Sequence, residues 1–233
     1  MDGRFHCTRR NDDGFDPAPG DQRERKRMHE EIRHPCVRHK LALLRDKATG
    51  HQEFRDLAKE ITMFVGYEAL KSVNVREVSV QTPLAEAKCH KIAEELVVVP
   101  ILRAGIGMLD GILGLVPTAR VGFIGMYRDK ETKQPVAYYH RLPSESKNAL
   151  YIVIDPMIAT GGSTAAAIDL IKANGATHIV VVCIVTCPEG LRKIETAHPD
   201  VRIYTAAIDD HLDERKYIVP GLGDAGDRLF GTS

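Results

Sequence analysis

The sequence predicts an α/β fold built on a parallel central sheet. Short apolar, partly β-branched segments recur along the chain, as at Leu96–Leu102 and Leu150–Ile154, and such runs are typical of strands buried on both faces of a sheet. Segments with helical character lie between them, and strands that alternate with helices imply a parallel sheet with right-handed crossovers. A chain of 233 residues can bury a substantial core in one such domain with additions.

The predicted elements follow in order. Apolar residues at helical spacing predict an amphipathic helix over 53–71, and the strand Leu96–Leu102 is followed by a helix that runs through Leu115. A helix after the strand Leu150–Ile154 ends near Asn174-Gly175, a favourable C-cap. Three further strands are expected at 120–126, 177–186 and 201–206, and a further helix at 189–197.

The segment 127–142 interrupts this alternation. It contains Pro135, several charged residues and the pair Tyr138-Tyr139, which predicts a protruding β-hairpin. Ligands of parallel sheets bind at the carboxyl ends of the strands. Arg103 and Arg128 each follow a predicted strand, so both are candidates for anion binding, although Arg128 beside an aspartate also suits a surface ion pair.

The amino-acid composition argues against several classes of protein. The chain carries 32 Lys and Arg against 32 Asp and Glu, so it is not a basic nucleic-acid binder as a whole, and no apolar stretch is long enough to cross a membrane. Its five cysteines are an odd number without C-x-x-C spacing, which indicates neither a disulfide framework nor a zinc site. Cys183 and Cys187 are expected in the core. A cytoplasmic location is expected.

Residues 1–27 differ from the rest of the chain. They are rich in Arg, Asp, Gly and Pro and poor in large apolar residues. Such a segment cannot bury enough apolar surface to order itself. We expect a disordered tail at 1–27 and a single folded domain at 28–233.

The stretch VIDPMIATGGSTAAAI at 153–168 places an acid after a strand, then a glycine-containing turn, then an alanine-rich helix. Helix N-termini present unpaired backbone N–H groups that bind phosphate. A P-loop is excluded because no lysine follows the glycines, and the glycines at 105–111 miss the dinucleotide fingerprint by one position. A carboxylate beside a phosphate loop suits a sugar phosphate, with Asp155 accepting from vicinal hydroxyls. An ordinary βα turn is the alternative.

The near-terminal stretch YIVPGLGDAGDR at 217–228 holds three glycines and a proline. Such a loop presents backbone N–H and C=O groups at close range. A flat heterocycle could be read by these groups, whereas a segment that merely packs across the domain is the alternative.

Together these motifs resemble the uracil phosphoribosyltransferase family. The resemblance rests on PILRAG at 100–105, YRD at 127–129, DPMIATGGS at 155–163 and the stretch from Tyr217 to Gly231. It runs from about Glu31 to the C-terminus, and the C-terminal motif is specific to this family. The resemblance implies a parallel-sheet phosphoribosyltransferase fold with a protruding β-hairpin arm and a C-terminal base-binding loop.

The family joins uracil to phosphoribosyl pyrophosphate (PRPP), giving UMP and pyrophosphate, with Mg²⁺ accompanying the pyrophosphate. The resemblance implies that Arg103 and Arg128 bind the pyrophosphate side, and that Asp155, Arg128 and Asp224 are catalytic. It assigns the ribose hydroxyls and 5-phosphate to Asp155, Pro156, Met157, Ile158, Ala159, Thr160, Gly161, Gly162 and Ser163. It assigns uracil to Ile218, Gly223, Asp224 and Ala225, mainly through their backbone, with the Asp224 side chain toward PRPP.

Other properties stay open at this point. The resemblance implies a homo-oligomer, either a dimer or a tetramer, and GTP as an effector in some members. It assigns neither the metal ligands nor the base that takes the uracil N1 proton, for which Asp224 through a water and the pyrophosphate itself are candidates. Pro156 stands where many relatives on the wider fold carry a second acid, as in the uracil branch. Thr164, at a position where a small residue is expected, and Cys187, before Pro188-Glu189-Gly190, are small departures from the family pattern.

Three alternative functions are compatible with this fold. Regulators of transcription on this fold need a basic face to bind nucleic acid, which zero net charge argues against. A catalytically silent relative is disfavoured because Arg103 and Asp155 are both present. A purine phosphoribosyltransferase is disfavoured by the C-terminal motif.

Overall fold

The computed structural model describes residues 28–128, 135–144, 146 and 148–232, without the side chain of Arg128. The tail predicted at 1–27 and the tip of the predicted hairpin lie outside these residues. The tail therefore stays a prediction.

The described elements alternate between strand and helix for most of the chain. In order they are β1 His29–Glu31, α1 Pro35–Arg45, α2 His51–Ala69, β2 Val75–Gln81, β3 Glu86–Ile92, β4 Leu96–Leu102, α3 Ile106–Leu115, β5 Arg120–Val121, β6 Phe123–Arg128, β7 Pro135–Arg141, β8 Leu150–Ile154, β9 Met157–Ile158, α4 Gly162–Ala173, β10 His178–Thr186, α5 Pro188–Ala197, β11 Arg202–Ile208, β12 His211–Leu212, β13 Ile218–Val219 and α6 Ala225–Phe230.

The central sheet confirms the predicted parallel arrangement. Within the described residues its order is β1-β11-β10-β8-β4-β6-β7, with β5 beside β4 and β9 beside β10. All of these pairs are parallel except the antiparallel β6–β7 hairpin. Strand β8 lies between β10 and β4, so the residue that follows it, Asp155, emerges near the middle of the sheet.

Helices cover both faces of this sheet. Ile152 and Ile154 of β8 pack with residues of α1, α2, α3 and α6, whereas Tyr151 and Val153 pack with α4 and α5. Side chains alternate between the faces along a strand, and a strand buried on both faces is therefore apolar at every position. All five residues of β8 are buried, as the continuous apolar run predicts. Cys183 and Cys187 are buried core residues, as expected.

Several elements depart from the sequence prediction, which does not include β1, α1, β9, β12, β13 or α6. The strand predicted at 120–126 is divided into β5 and β6, with Gly122 between them. The antiparallel hairpin β2–β3 at 75–92 was not predicted. Its side chains are exposed or partly exposed throughout, so the chain there carries no buried stripe that would mark strands in the sequence.

The hairpin predicted at 127–142 is confirmed as the β6–β7 pair, which begins earlier, at Phe123. It carries exposed aromatic residues at Tyr127, Tyr138 and Tyr139. The residues that join its strands, 129–134, lie outside the described part of the chain.

Candidate active site

Asp155 stands directly after β8, where the backbone turns toward α4. The short strand β9 pairs with β10, and the Pro156 carbonyl accepts from the backbone N–H groups of Ile184 and Val185 at 3.2 and 3.1 Å. These bonds hold the start of the loop against the sheet edge. Asp155 therefore lies at a defined position at the carboxyl end of the strand.

The phosphate-loop glycine Gly161 adopts φ +74° just before α4. A Cβ at this position would lie 2.7 Å from the Gly190 carbonyl oxygen, and left-handed backbone disfavours side chains. Both effects require glycine here. The turn leaves the first N–H groups of α4 facing outward from the helix end, where the helix dipole favours an anion.

The Asp155 carboxyl group lies in an enclosed position. Burial raises its pKa to about 7, while hydrogen bonds from the Met157 backbone and the Thr164 side chain lower it by less. The Met157 N–H lies 3.4 Å from Oδ1. Burial also raises the pKa of the neighbouring Cys183 thiol to about 12, so this thiol stays protonated and does not compete as a charged group.

A pocket of about 230 Å³ joins the two segments that the sequence singled out. Asp155 and Met157 form one side, and the loop from Ile218 to Ala225 forms the other. The complete lining is Ala104, Asp155, Pro156, Met157, Ala159, Lys216, Tyr217, Ile218, Gly223, Asp224, Ala225 and Gly226. Residues more than 60 positions apart in the chain thus form one site.

Some residues that the sequence predicts for the site do not line this pocket with their side chains. Thr160 to Ser163 continue the loop beyond the pocket lining, into the first turn of α4. The Ile158 side chain is 1% exposed and belongs to the core, so only its backbone can border a ligand. Its carbonyl accepts from the Thr186 hydroxyl at 3.0 Å.

Arg103 follows β4 at the rim of the pocket. Its side chain is 62% exposed, and Nη2 lies 3.7 Å from Asp227 Oδ1. It also lies beside Gly226, which lines the pocket. A guanidinium that is mostly exposed at the pocket rim, with one long contact to a carboxylate, can also bind an entering anion. Arg128 ends β6, and the prediction for its side chain falls outside the described part of the structure.

Asp224 caps a helix as well as lining the pocket. Its Oδ1 accepts from the Asp227 N–H at 2.9 Å at the start of α6. The cap holds the Asp224 carboxylate at the pocket wall and leaves its second oxygen available.

An ion pair that the sequence did not reveal supports the loop from Ile218 to Ala225, which we call the base-side loop after the uracil-binding role expected of it. Arg45 Nη1 donates to Asp209 Oδ2 at 2.8 Å and to the Gly221 carbonyl at 2.7 Å, and the Gly221 N–H donates to the same Asp209 oxygen at 2.9 Å. Asp209 is 6% exposed. Arg45 and Asp209 are 164 positions apart, so no local pattern could have indicated the pair.

Arg228 supports the same loop from the other side. It donates to the Leu222 carbonyl at 3.1 Å and to the Asp46 carbonyl at 2.6 Å, and its guanidinium stands 4.3 Å from the centre of the Phe54 ring. The adjacent Gly221 and Leu222, in the middle of the glycine-rich loop, are therefore each tied to the rest of the domain by an arginine.

The β6–β7 hairpin approaches the phosphate loop. A Cβ on Gly162 would lie 3.9 Å from Pro135 Cδ, at the start of β7. Strand β7 of the hairpin therefore begins beside the N-terminus of α4, next to the predicted anion site.

The parallel sheet, with an acid and a glycine-containing turn at the end of its central strand, is the arrangement expected of a phosphoribosyltransferase, and the family comparison places the chain in that class of enzymes. The family model described as uracil phosphoribosyltransferase matches residues 31–232. The chain belongs to the uracil phosphoribosyltransferase family, as the resemblance predicted.

Individual relatives agree. The uracil phosphoribosyltransferase of Alkaliphilus oremlandii is 54% identical over 86% of this chain and 97% of its own length. That of Streptococcus sanguinis is 53% identical over 87% of this chain and 98% of its own. Among solved structures, the AQ2163 protein from Aquifex aeolicus superposes with a TM-score of 0.84 at 39% identity, covering 88% of this chain and 99% of that one.

Two further observations concern metals and membranes. The described residues contain no group of three or more His, Cys, Asp or Glu side chains placed to hold a metal ion. Of the helices in the described ranges, none is both long and apolar enough to span a bilayer.

Proposed function

We propose that the pocket between Asp155 and the Ile218–Ala225 loop is where uracil N1 is joined to C1 of PRPP, forming UMP and releasing pyrophosphate. As a member of its family the protein is an enzyme of the glycosyltransferase type in pyrimidine salvage. The observation that carries the assignment is that one pocket is lined both by the first part of the proposed sugar-phosphate loop, from Asp155 to Ala159, and by the glycine-rich loop.

The sugar phosphate suits the loop side of this pocket. The N–H groups of the Gly161–Ser163 turn and the dipole of α4 favour the 5-phosphate. Asp155 accepts hydrogen bonds from the ribose hydroxyls, since charge-assisted bonds of this kind are stronger than neutral ones. Its negative charge also stabilises the oxocarbenium-like sugar that forms as C1–O breaks.

Uracil suits the opposite wall. Ile218 is buried and Gly223 is exposed at φ +79°, so side chains do not cover the backbone edge there. Uracil offers N3–H as a donor and O4 as an acceptor, which fixed backbone groups near Gly223 and Ala225 can match. The Arg45–Asp209 pair keeps those groups in place.

The departing pyrophosphate suits the rim. Arg103 is exposed there, and Arg128 belongs to the same proposal by family resemblance. Mg²⁺ would be held mainly by pyrophosphate oxygens, because the described residues offer no cluster of protein ligands. When bound, the metal supplies positive charge that stabilises the leaving group.

The hairpin contributes by excluding water. Its position beside Gly162 allows it to cover the activated sugar, which water would otherwise hydrolyse. Asp224 through a water and the pyrophosphate itself are the two candidates for taking the uracil N1 proton. Homo-oligomer formation, GTP as an effector and a cytoplasmic location stay predictions from the family resemblance.

The test is UMP formation from uracil and PRPP with Mg²⁺, using adenine, hypoxanthine and orotate as competing bases. Rapid turnover with uracil alone is expected. Turnover of a purine base instead, or no turnover with any base, would overturn the proposal.

A further inference from the structure

Lys216 has an unusual backbone conformation beside the pocket. Its φ is +70°, and it is the one residue other than glycine at positive φ in the described part of the chain. Left-handed backbone is unfavourable for a residue with a Cβ and is adopted without cost mainly by glycine. Such outliers cluster at functional sites, so Lys216 merits a functional explanation.

The surrounding turn is tightly defined. Lys216 N–H donates to the Asp213 carbonyl at 3.0 Å, and Asp213 N–H donates to the Tyr217 carbonyl at 2.8 Å. The Asp213 carboxylate also accepts from Tyr217 N–H at 2.8 Å. These bonds connect β12 to β13 and hold the lysine in its left-handed conformation, so the turn alone would be served at least as well by glycine.

Lys216 is one of the residues that line the active-site pocket. Lys216 stands there with two carboxylates, Asp155 and Asp224, and it is the one basic side chain among the described lining residues. Among the described residues no carboxylate lies within 4 Å of its ammonium group. A cation that is neither paired with the nearby acids nor needed by the turn is available for a ligand.

We propose that Lys216 is a substrate-binding residue that neutralises a phosphate group of PRPP in this pocket. The inference rests on the proposed function, which brings a polyanion into a pocket walled by two acids. Lysine is a point charge on a flexible stem, and it can follow the phosphate as the sugar moves. The group that Lys216 contacts is a phosphate oxygen of PRPP, which belongs either to the 5-phosphate or to the pyrophosphate.

Three variants separate charge from backbone conformation. Lys216→Met keeps the conformation and removes the charge, Lys216→Gly relieves the conformation and removes the charge, and Lys216→Arg keeps both. Arg215→Met is the matched control, because Arg215 is exposed, precedes Lys216 and does not line the pocket. It changes the net charge equally.

We expect Lys216→Met and Lys216→Gly to raise KM for PRPP by about three- to tenfold, between the effect of an exposed pair and that of a charge-assisted hydrogen bond. KM for uracil should change by less than about twofold, and the PRPP effect should shrink at about 0.5 M salt. Lys216→Gly should melt at or up to about 3 °C above the parent. Lys216→Arg and Arg215→Met should stay close to the parent.

Direct titration with UMP and with pyrophosphate identifies the phosphate. Weaker binding of UMP to Lys216→Met places the contact at the 5-phosphate, and weaker binding of pyrophosphate places it at the leaving group. Unchanged binding of both, or an equal loss in Arg215→Met, overturns the inference. If the parent forms no UMP the proposed function fails, whereas these titrations still decide whether Lys216 binds phosphate.

Discussion

Asp155→Asn should retain the fold and change how stability depends on pH. The pKa of Asp155 in the folded protein is about 7, against an ordinary value of 3.8. Between these values the folded chain binds more protons than the unfolded chain, so its stability falls as pH rises. The stability contributed by protonated Asp155 is present below about pH 4 and is lost as pH rises through about 7.

The magnitude follows from the shift. The difference between 3.8 and about 7 corresponds to about 4 kcal/mol in all, of which about 2–3 kcal/mol falls between pH 5 and pH 8. Asparagine does not titrate, so its free energy of unfolding should lack this decline. Asp110→Asn, at an exposed position on α3, is the matched control and should keep the decline of the parent.

Urea unfolding at pH 5 and pH 8 measures the effect, and steady-state kinetics at pH 8 measure the function. Loss of a charge-assisted hydrogen bond should lower kcat/KM of Asp155→Asn by about 10- to 100-fold. In the parent, kcat/KM should fall as pH drops below about 7, because the ionised carboxylate is the active form. A decline in stability equal to that of the parent, or kinetics within threefold of it, would refute the assignment.

Three further results are expected. A chain that begins at Met28 should fold and keep most activity, since residues 1–27 offer little apolar surface to bury. A chain that begins at His34 also lacks β1 and should melt at a lower temperature. Failure of the Met28 chain to fold would contradict this prediction. Uracil should be preferred to cytosine by about several thousandfold in kcat/KM, because cytosine mismatches two backbone groups. Asp224→Asn should slow turnover without admitting cytosine, and cytosine turnover by that variant would show that the side chain reads the base. Asp209→Asn should lower the free energy of unfolding by about 3 kcal/mol and raise KM for uracil more than KM for PRPP. Asp210→Asn, at the exposed neighbouring position, is the control. If the two variants have the same KM for uracil, the ion pair has no part in base binding.

The strands of the central sheet could be read from the sequence because burial on both faces leaves a direct trace. Leu96–Leu102 and Leu150–Ile154 are observed with the predicted bounds. The β2–β3 hairpin left no such trace, since no face of it is buried. An apolar pattern in the sequence arises where side chains are buried. Where a strand has no buried face, the sequence carries only a weak strand pattern.

The parts of the candidate site likewise differ in how far the sequence predicts them. The Asp155 loop was visible locally because a strand, an acid, a left-handed glycine and a helix start are adjacent in the chain. The support of the base-side loop was not visible, because Arg45 and Asp209 meet only after folding.

The sequence by itself determined the class of fold, the strand–turn–helix around Asp155 and the family resemblance, since each depends on residues close together in the chain. Only the tertiary structure decided that Asp155 is enclosed enough to raise its pKa, that Asp224 caps a helix and that Lys216 lines the pocket. These properties depend on which segments pack together across the sheet edge. Local patterns specify backbone conformation and burial, whereas the partners of a charged side chain are set by the packing of distant elements.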